Sequence, residues 1–296
     1  LAVGVGSSTA GSLNAPITVQ SGGTLQLQNT SSSIVSTAIN IESGGNLNWF
    51  GGTIDVSNGS FTTVGNISVG SFGESTLIAD SSTITANTLS IKEQGTMRGY
   101  SWCYVSQLNN DGIIEVGGAY MHILVSGDYV QSESGRLVLD LGGVSISSFD
   151  RLVVNGSSSI DGTLDLRSLN GYSPNEGDTF AAIVSNNDLH SGNFSSLISS
   201  GFAAGTSFTG TSDSSGYSTL ASVDTVWFVD ANNSTGTGTS WSTAFPTIQA
   251  ALAVVGDGEQ IWIAEGTYTP GTSREWTFLI PNLIHIYGGF EGTETS

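Results

Sequence analysis

Between residues 127 and 180 the chain alternates apolar with polar positions in short runs, and each run ends near Gly, Asn or Asp. A period of two over about four to eight residues is typical of a β-strand with one buried face. The sequence therefore predicts short strands at residues 129–131, 136–141, 151–155 and 163–167.

The aliphatic residues of these runs are predicted to form one inward stripe. Its members are Leu137, Leu139, Leu141, Leu152, Val154, Leu164 and Leu166. The polar residues that alternate with them are predicted to face solvent, and they are Arg136, Asp140, Arg151, Asp165 and Arg167. An aliphatic stripe that returns at intervals separated by turns favours a coil of strands over a sheet covered by helices.

Weak internal repeats run from residue 15 to residue 125. The segment ITVQSGGTLQL at residues 17–27 returns as INIESGGNLNW at residues 39–49, a displacement of 22 residues, and looser copies follow at 89–97 and 108–116. A period near 20 residues with a glycine corner is typical of a β-solenoid. We therefore predict an all-β fold, a right-handed parallel β-helix with one short capping α-helix near residues 246–255.

A set of turn and core positions extends through this region. It consists of Gly127, Tyr129, Gln131, Gly135, Leu137, Leu139, Asp150, Leu152, Val154, Gly156, Gly162, Thr163, Leu164, Gly171, Tyr172, Pro174, Gly177, Asp178 and Phe180. In these positions residues 127–196 resemble a module of the passenger-type β-helices of bacterial surface proteins, including autotransporters. The resemblance implies the β-helix fold and a protein that is secreted or lies at the cell surface. It implies no particular activity.

A different pattern begins at residue 226. Ile248, Ala251, Leu252 and Val255 are spaced as on one face of a helix, after a proline and before a glycine, and they predict a helix over residues 246–255. Strands are predicted to follow at residues 260–264, 277–280 and 284–287.

This order of helix and strands resembles the opening of right-handed β-helix domains of the pectate-lyase-like type, at about residues 226–296. In those domains a short amphipathic helix covers the open end of the coil. We therefore predict one β-helix domain at residues 1–222 and the helix-capped beginning of a second at 223–296, with a linker rich in Ser, Thr and Gly at 211–218. Few coils fit before residue 296, so the chain is predicted to be a segment of a longer surface protein.

Charge narrows the partners that this chain can have. Acidic residues outnumber basic ones by 25 to 6, for a net charge of −19, which predicts no binding to nucleic acid and repulsion from anionic membranes. No run approaches the roughly 18 apolar residues of a membrane span, so no membrane insertion is predicted. The single cysteine, Cys103, excludes an intrachain disulfide and is predicted to be a buried thiol.

The residues with catalytic or metal-binding chemistry are scattered. Lys92 is the only lysine, and the three histidines, His122, His190 and His285, lie far apart without a second ligand at close spacing. Asp128, Asp140, Asp150, Asp161 and Asp178 recur near turns, where turn formation competes with a Ca²⁺-binding ladder. We predict no enzyme activity, no catalytic residues and no cofactor, with Ca²⁺ as the alternative.

Aromatic residues concentrate toward the end of the chain, where four of the six tryptophans lie. Exposed aromatic rings could stack on sugars, and the candidates are Trp241, Trp262, Tyr268 and Trp276. Burial between the helix and the first strands is the competing explanation.

These features predict an extracellular structural or adhesive segment of a bacterial surface protein. It would contact other copies of itself, or neighbouring domains, through unpaired strand edges, and could form filaments. The alternatives are a polysaccharide-active enzyme of the pectate-lyase-like type and a module that binds surface glycans.

Overall fold

The computed structural model describes residues 2–3, 12–117, 122–273 and 275–294, with side chains from residue 15 onward. Strands account for 48% of the residues and helices for 3%, so the predicted all-β class is confirmed. The chain divides into two compact units. Unit 1 lies within residues 1–172, 178–200 and 208–220, and unit 2 within residues 173–177, 201–207 and 221–296.

The strands are short, and turns separate them throughout. In chain order they are β1 (Ala2–Val3), β2 (Ser12–Asn14), β3 (Ile17–Val19), β4 (Thr24–Leu27), β5 (Ser33–Val35), β6 (Ala38–Ile41), β7 (Asn46–Trp49), β8 (Gly52–Asp55), β9 (Ser60–Thr63), β10 (Asn66–Val69), β11 (Ser75–Ile78), β12 (Ser82–Thr85), β13 (Thr88–Ile91), β14 (Gly95–Arg98), β15 (Ser101–Tyr104) and β16 (Gln107–Asn110). They continue as β17 (Ile113–Glu115), β18 (His122–Val125), β19 (Asp128–Gln131), β20 (Arg136–Leu141), β21 (Arg151–Val154), β22 (Ser158–Ile160), β23 (Thr163–Ser168), β24 (Thr179–Ser185), β25 (His190–Gly192), β26 (Ser196–Ser200), β27 (Thr206–Asp213), β28 (Gly216–Val223), β29 (Val226–Val229), β30 (Gln260–Ala264) and β31 (His285–Phe290).

In unit 1 each sheet is built from strands that are three places apart in the chain. One sheet has nine strands in the order β2-β5-β8-β11-β14-β17-β20-β23-β26, and a second has six in the order β10-β13-β16-β19-β22-β25. A third sheet runs from β3 through every third strand to β24, where β28 pairs antiparallel with β24, and β1, β4 and β7 form a further short sheet. The described pairs between successive coils are parallel, so the predicted β-solenoid is confirmed, while its right-handed sense stays a prediction.

The interior of unit 1 is the predicted aliphatic stripe. All seven of its members are at most 1% exposed. Leu137 of β20, Leu164 of β23 and Leu197 of β26 occupy the same register position in three successive coils. Gly162, a predicted corner glycine, has a φ of 72° and lies against backbone carbonyls of the preceding coil. A side chain at that corner would be strained and would also collide.

The outward positions differ from prediction at Asp165, whose side chain is only 3% exposed. The side chains of Arg136 and Arg167 cover it, with Asp165 Oδ2 at 2.5 Å from Arg136 Nη2 and 3.1 Å from Arg167 Nε. The alternating sequence pattern correctly placed Asp165 on the outer face. It does not show that the long side chains of neighbouring residues, here Arg136 and Arg167, cover the carboxylate. A buried carboxylate is tolerated here because two guanidinium groups pair with it.

Two further predictions are wrong. Residues 211–218 are not a linker, because they belong to β27, a turn at 214–215 and β28. Residues 277–280 are not a strand, and Leu279 and Ile280 there are 81% and 59% exposed. Composition and local apolar content favour or disfavour a strand, but a strand also needs a neighbour with which to pair.

A hydrogen-bonded polar network lies within the core of unit 1, beneath one corner of the coil. The Tyr129 hydroxyl donates to Gln131 Oε1 at 2.6 Å, and Asn110 Nδ2 donates to the same oxygen at 3.0 Å. Gln131 Nε2 donates to the carbonyls of Gly135 and Asp161 at 3.1 and 2.8 Å. The network therefore joins the corners of successive coils from inside.

Unit 2 contains a parallel sheet of three strands in the order β29-β30-β31. The predicted helix is confirmed but is shorter, α1 at Ile248–Leu252, and a 3₁₀ turn precedes it at Trp241–Thr243. Thr247 Oγ1 accepts from the Ala250 N–H at 3.3 Å, so the helix begins after this cap.

The two faces of this sheet pack against different partners. Val229 and Ile261 pack with Ala251 of the helix and with its predicted apolar face. Val226 and Phe228 pack with Ala244 and Trp241 on the other side. The helix therefore packs on one face of the β29-β30-β31 sheet, and its role as a cover for the open end of a coil stays a prediction.

Truncation of one member of the interior stripe should destabilise unit 1 strongly. We expect Leu164→Ala to lower the free energy of unfolding by about 3 kcal/mol, because it removes buried methyl groups and leaves a cavity in a close-packed interior. Chemical denaturation followed by circular dichroism measures this loss. Ser159→Ala, at an exposed position of β22, is the matched control, and an equal loss in both variants would contradict this account of the core.

Candidate functional site

Two of the four candidate stacking residues, Trp241 and Trp262, lie in one aromatic cluster of unit 2. The Trp262 ring stacks on Phe290, with centroids 4.6 Å apart and planes inclined by 6°. The Trp241 ring meets Phe228 edge to face at 4.9 Å, and its Nε1 donates to the Glu294 carbonyl at 2.9 Å. Both indoles are half-buried, with one side occupied by protein.

The other two candidates lie apart from this cluster. The Tyr268 ring packs with the residues that surround α1, and its hydroxyl donates to the Ala264 carbonyl at 3.0 Å and accepts from the Ala231 N–H at 3.1 Å. Trp276 is 60% exposed and lies directly over Gly271. The structure therefore does not bring the four candidates together into one platform.

A shallow apolar groove of about 360 Å³ lies beside Trp241 in unit 2. Its lining residues are Ala203, Ala204, Phe228, Thr239, Ser240, Trp241, Thr293 and Glu294. The lining combines aromatic residues with residues that carry hydroxyl and carboxylate groups, the residue types that suit the apolar face and hydroxylated edge of a sugar.

Two of the aspartates considered for a cation ladder accept hydrogen bonds from other residues of unit 1. Asp128 Oδ1 accepts from the Ser157 N–H at 2.7 Å and from its hydroxyl at 2.9 Å. Asp150 Oδ2 accepts from the Asp140 N–H at 3.1 Å. Among the described residues no three His, Cys, Asp or Glu side chains form a group that could hold a metal ion. Whether the chain takes Ca²⁺ or no cofactor stays a prediction.

Ser158 and His190 form a pair that the sequence analysis did not identify. Ser158 Oγ lies 2.6 Å from His190 Nδ1, because the two residues are register partners in β22 and β25. The two residues are 32 positions apart in the sequence, so no local sequence pattern indicates that they are in contact. Ser158 is 1% exposed, so its hydroxyl cannot reach a substrate as a nucleophile, and the pair is a contact between two successive coils.

Burial also determines the chemistry of Cys103 and of the imidazole at position 190. Cys103 is fully buried as predicted, and burial raises the pKa of its thiol to about 11, against the smaller opposing effect of a hydrogen bond with Ser101. Burial lowers the pKa of His190, against the smaller opposing effect of the Asp213 charge. The thiol is therefore unreactive near neutral pH, and His190 resists protonation.

Comparison with protein-family models finds no match to this chain, and comparison with curated proteins likewise finds none. The parallel β-solenoid is a finding of the structure, whereas membership of the passenger-type or pectate-lyase-like families stays a prediction. The described part of the chain holds no helix with the length and apolar character needed to cross a lipid bilayer.

Unit 1 should lose stability in mildly acidic solution. Because burial places the folded pKa of His190, and also that of His122, below the ordinary value of 6.5, their contribution is complete above that pH and is lost as pH falls through the folded pKa values. Asp111, whose pKa is lowered, loses its contribution at lower pH. We expect the denaturation midpoint to fall between about pH 7.5 and about pH 5.5, and to fall less in His190→Asn.

Ser159→Ala, at an exposed position of β22, is the control for this titration. It should retain the full pH dependence of the parent chain. Equal pH dependence in the parent and in His190→Asn would show that His190 is not the group responsible.

Proposed function

We propose that this chain is a non-catalytic, extracellular structural or adhesive segment of a surface protein, and that it associates with further copies of itself. The stacked coils of unit 1 support a spacer role. Nine strands at about 4.8 Å per coil make a stack roughly 40 Å long. The net charge of −19 suits a protein that must stay soluble outside the cell.

The exposed edge of unit 2 is the observation that carries self-association. Within the described residues, β31 pairs with β30 on one side only. The segment that leads into it exposes Trp276, Leu279 and Leu283 by 60%, 81% and 72%, and Tyr287 within the strand is 46% exposed. Unpaired backbone groups beside apolar side chains favour strand addition, either by a second copy or by a neighbouring segment of a longer chain.

Self-association can be measured by light scattering over a range of protein concentrations. We expect the parent chain to grow in mass with concentration, and a double variant, Leu279→Lys with Leu283→Lys, to remain monomeric, because charges beside an edge strand oppose pairing. Leu189→Lys, at a position of unit 1 that is 58% exposed, is the matched control and should behave as the parent. A parent chain that stays monomeric at high micromolar concentration would exclude this proposal.

The polysaccharide-active alternative is tested separately. Incubation of the chain with uronate polysaccharides and neutral polysaccharides, in the presence of Ca²⁺, should yield no new reducing ends and no unsaturated products. Turnover that persists after repeated purification, and that scales with protein concentration, would replace the structural function by an enzymatic one.

A further inference from the structure

The turns at one corner of unit 1 differ in length, and this difference makes a groove. Between the six-stranded and nine-stranded sheets, successive coils turn through residues 70–74, 92–94, 111–112 and 132–135. The two short turns lie between two longer ones, so the corner is recessed there. The resulting cavity of about 880 Å³, here called the corner groove, is lined by Gly70, Ser71, Phe72, Lys92, Glu93, Gln94, Asp111, Ser132 and Ser134.

The floor of the corner groove is polar and its groups are already oriented. Lys92 Nζ donates to Asp111 Oδ2 at 2.9 Å, and Ser134 Oγ donates to the Asp111 carbonyl at 2.9 Å. Partial burial acts to raise the pKa of Asp111, but hydrogen bonds from Lys92 and Ser132 and the charge of Lys92 outweigh it and lower that pKa. The carboxylate therefore stays ionised and accepts hydrogen bonds across the neutral range.

One wall of the groove carries an aromatic ring that faces solvent. Phe72, in the longest of the four turns, is 72% exposed. Its ring lies 5.4 Å from that of Phe50 in the preceding coil, which supports it from one side. Most of this large apolar ring is therefore in contact with water, and packing within the core does not explain a phenylalanine at position 72.

The corner groove rests on the buried polar network of Asn110, Tyr129 and Gln131. Asn110 directly precedes the turn at Asp111, and Gln131 directly precedes the turn at Ser132. Because the network ties these coils together from inside, the polar groups of the floor have little freedom to move apart. A site whose groups are held in place before binding loses less entropy on binding.

We propose that the corner groove binds a neutral oligosaccharide of about three sugar rings, with one ring stacked on Phe72 and with hydroxyl groups on the floor at Asp111 and Ser134. The outer turns at residues 70–74 and 132–135 are three coils apart, or roughly 14 Å, which matches about three pyranose rings. A pyranose has an apolar C–H face for an aromatic ring and hydroxyl edges for carboxylate, amide and hydroxyl groups.

Charge favours neutral sugars over uronates. The lining holds one ammonium group, from Lys92, and two carboxylates, from Glu93 and Asp111. Because Asp111 already pairs with Lys92 at 2.9 Å, no cation in the lining is left for an anionic sugar, and the net charge of −19 adds repulsion. This inference specifies the ligand of the adhesive role proposed above and does not depend on self-association.

Titration calorimetry with cellotriose, maltotriose and laminaritriose tests the proposal, with trigalacturonate as the anionic comparison. We expect at least one neutral trisaccharide to bind, and Phe72→Ala to weaken it roughly tenfold through loss of the stacked ring. Phe72→Leu should weaken it nearly as much, since it keeps apolar volume but removes the flat face. Val64→Ala, at a position of unit 1 that is also 72% exposed, should leave affinity unchanged.

Three outcomes would overturn the proposal. These are the absence of heat with all three neutral sugars at concentrations on the order of 10 mM, tighter binding of trigalacturonate, and binding that Trp241→Ala abolishes while Phe72→Ala does not. The last outcome would place the sugar in the apolar groove of unit 2.

The self-association double variant, Leu279→Lys with Leu283→Lys, should bind the trisaccharide as the parent does. Sugar binding and self-association are therefore tested separately, and one proposal can fail without the other.

Discussion

Parallel pairing in register between successive coils is the constraint on which unit 1 depends. Each N–H and C=O of a coil must find its partner on the coil above or below, since the turns supply few alternatives. A slip of one residue would also turn the interior side chains to solvent. Leu137, Leu164 and Leu197 share one register position, so hydrogen bonding and apolar burial demand the same alignment.

This constraint applies to the strands and leaves the corners free to vary. A turn of five residues at 70–74 and one of two residues at 111–112 connect strands that stack in the same two sheets. Loops tolerate such differences because their backbone faces solvent. Recessed and protruding corners are therefore the part of a solenoid where a groove can form without disturbing the ladder, and the corner groove is an instance.

Those features that depend on local pattern could be predicted from the sequence. The strands at β20 and β23, the interior leucines and the amphipathic face of α1 all follow from periodicity. The contacts of Asp165, and the pairing of Ser158 with His190 across 32 positions, depend on which coil lies next to which. The corner groove was missed for a similar reason. Its depth depends on the different lengths of four turns, and these turns become neighbours only when the coils stack.

The polar network under the corner links stability to the proposed site. An amide or hydroxyl in an apolar interior is costly unless its hydrogen bonds are made, and Gln131 Oε1 is the shared acceptor for the Tyr129 hydroxyl and Asn110 Nδ2. Gln131 Nε2 reaches carbonyls of Gly135 and Asp161, two different coils, so displacement of either corner would break a buried hydrogen bond. Aliphatic packing is not directional, so it does not by itself fix the orientation of the polar groups at these corners. Directional bonds at Asn110, Tyr129 and Gln131 therefore restrict relative movement of the corners beneath the corner groove, and such restriction lowers the entropy that is lost on binding a ligand.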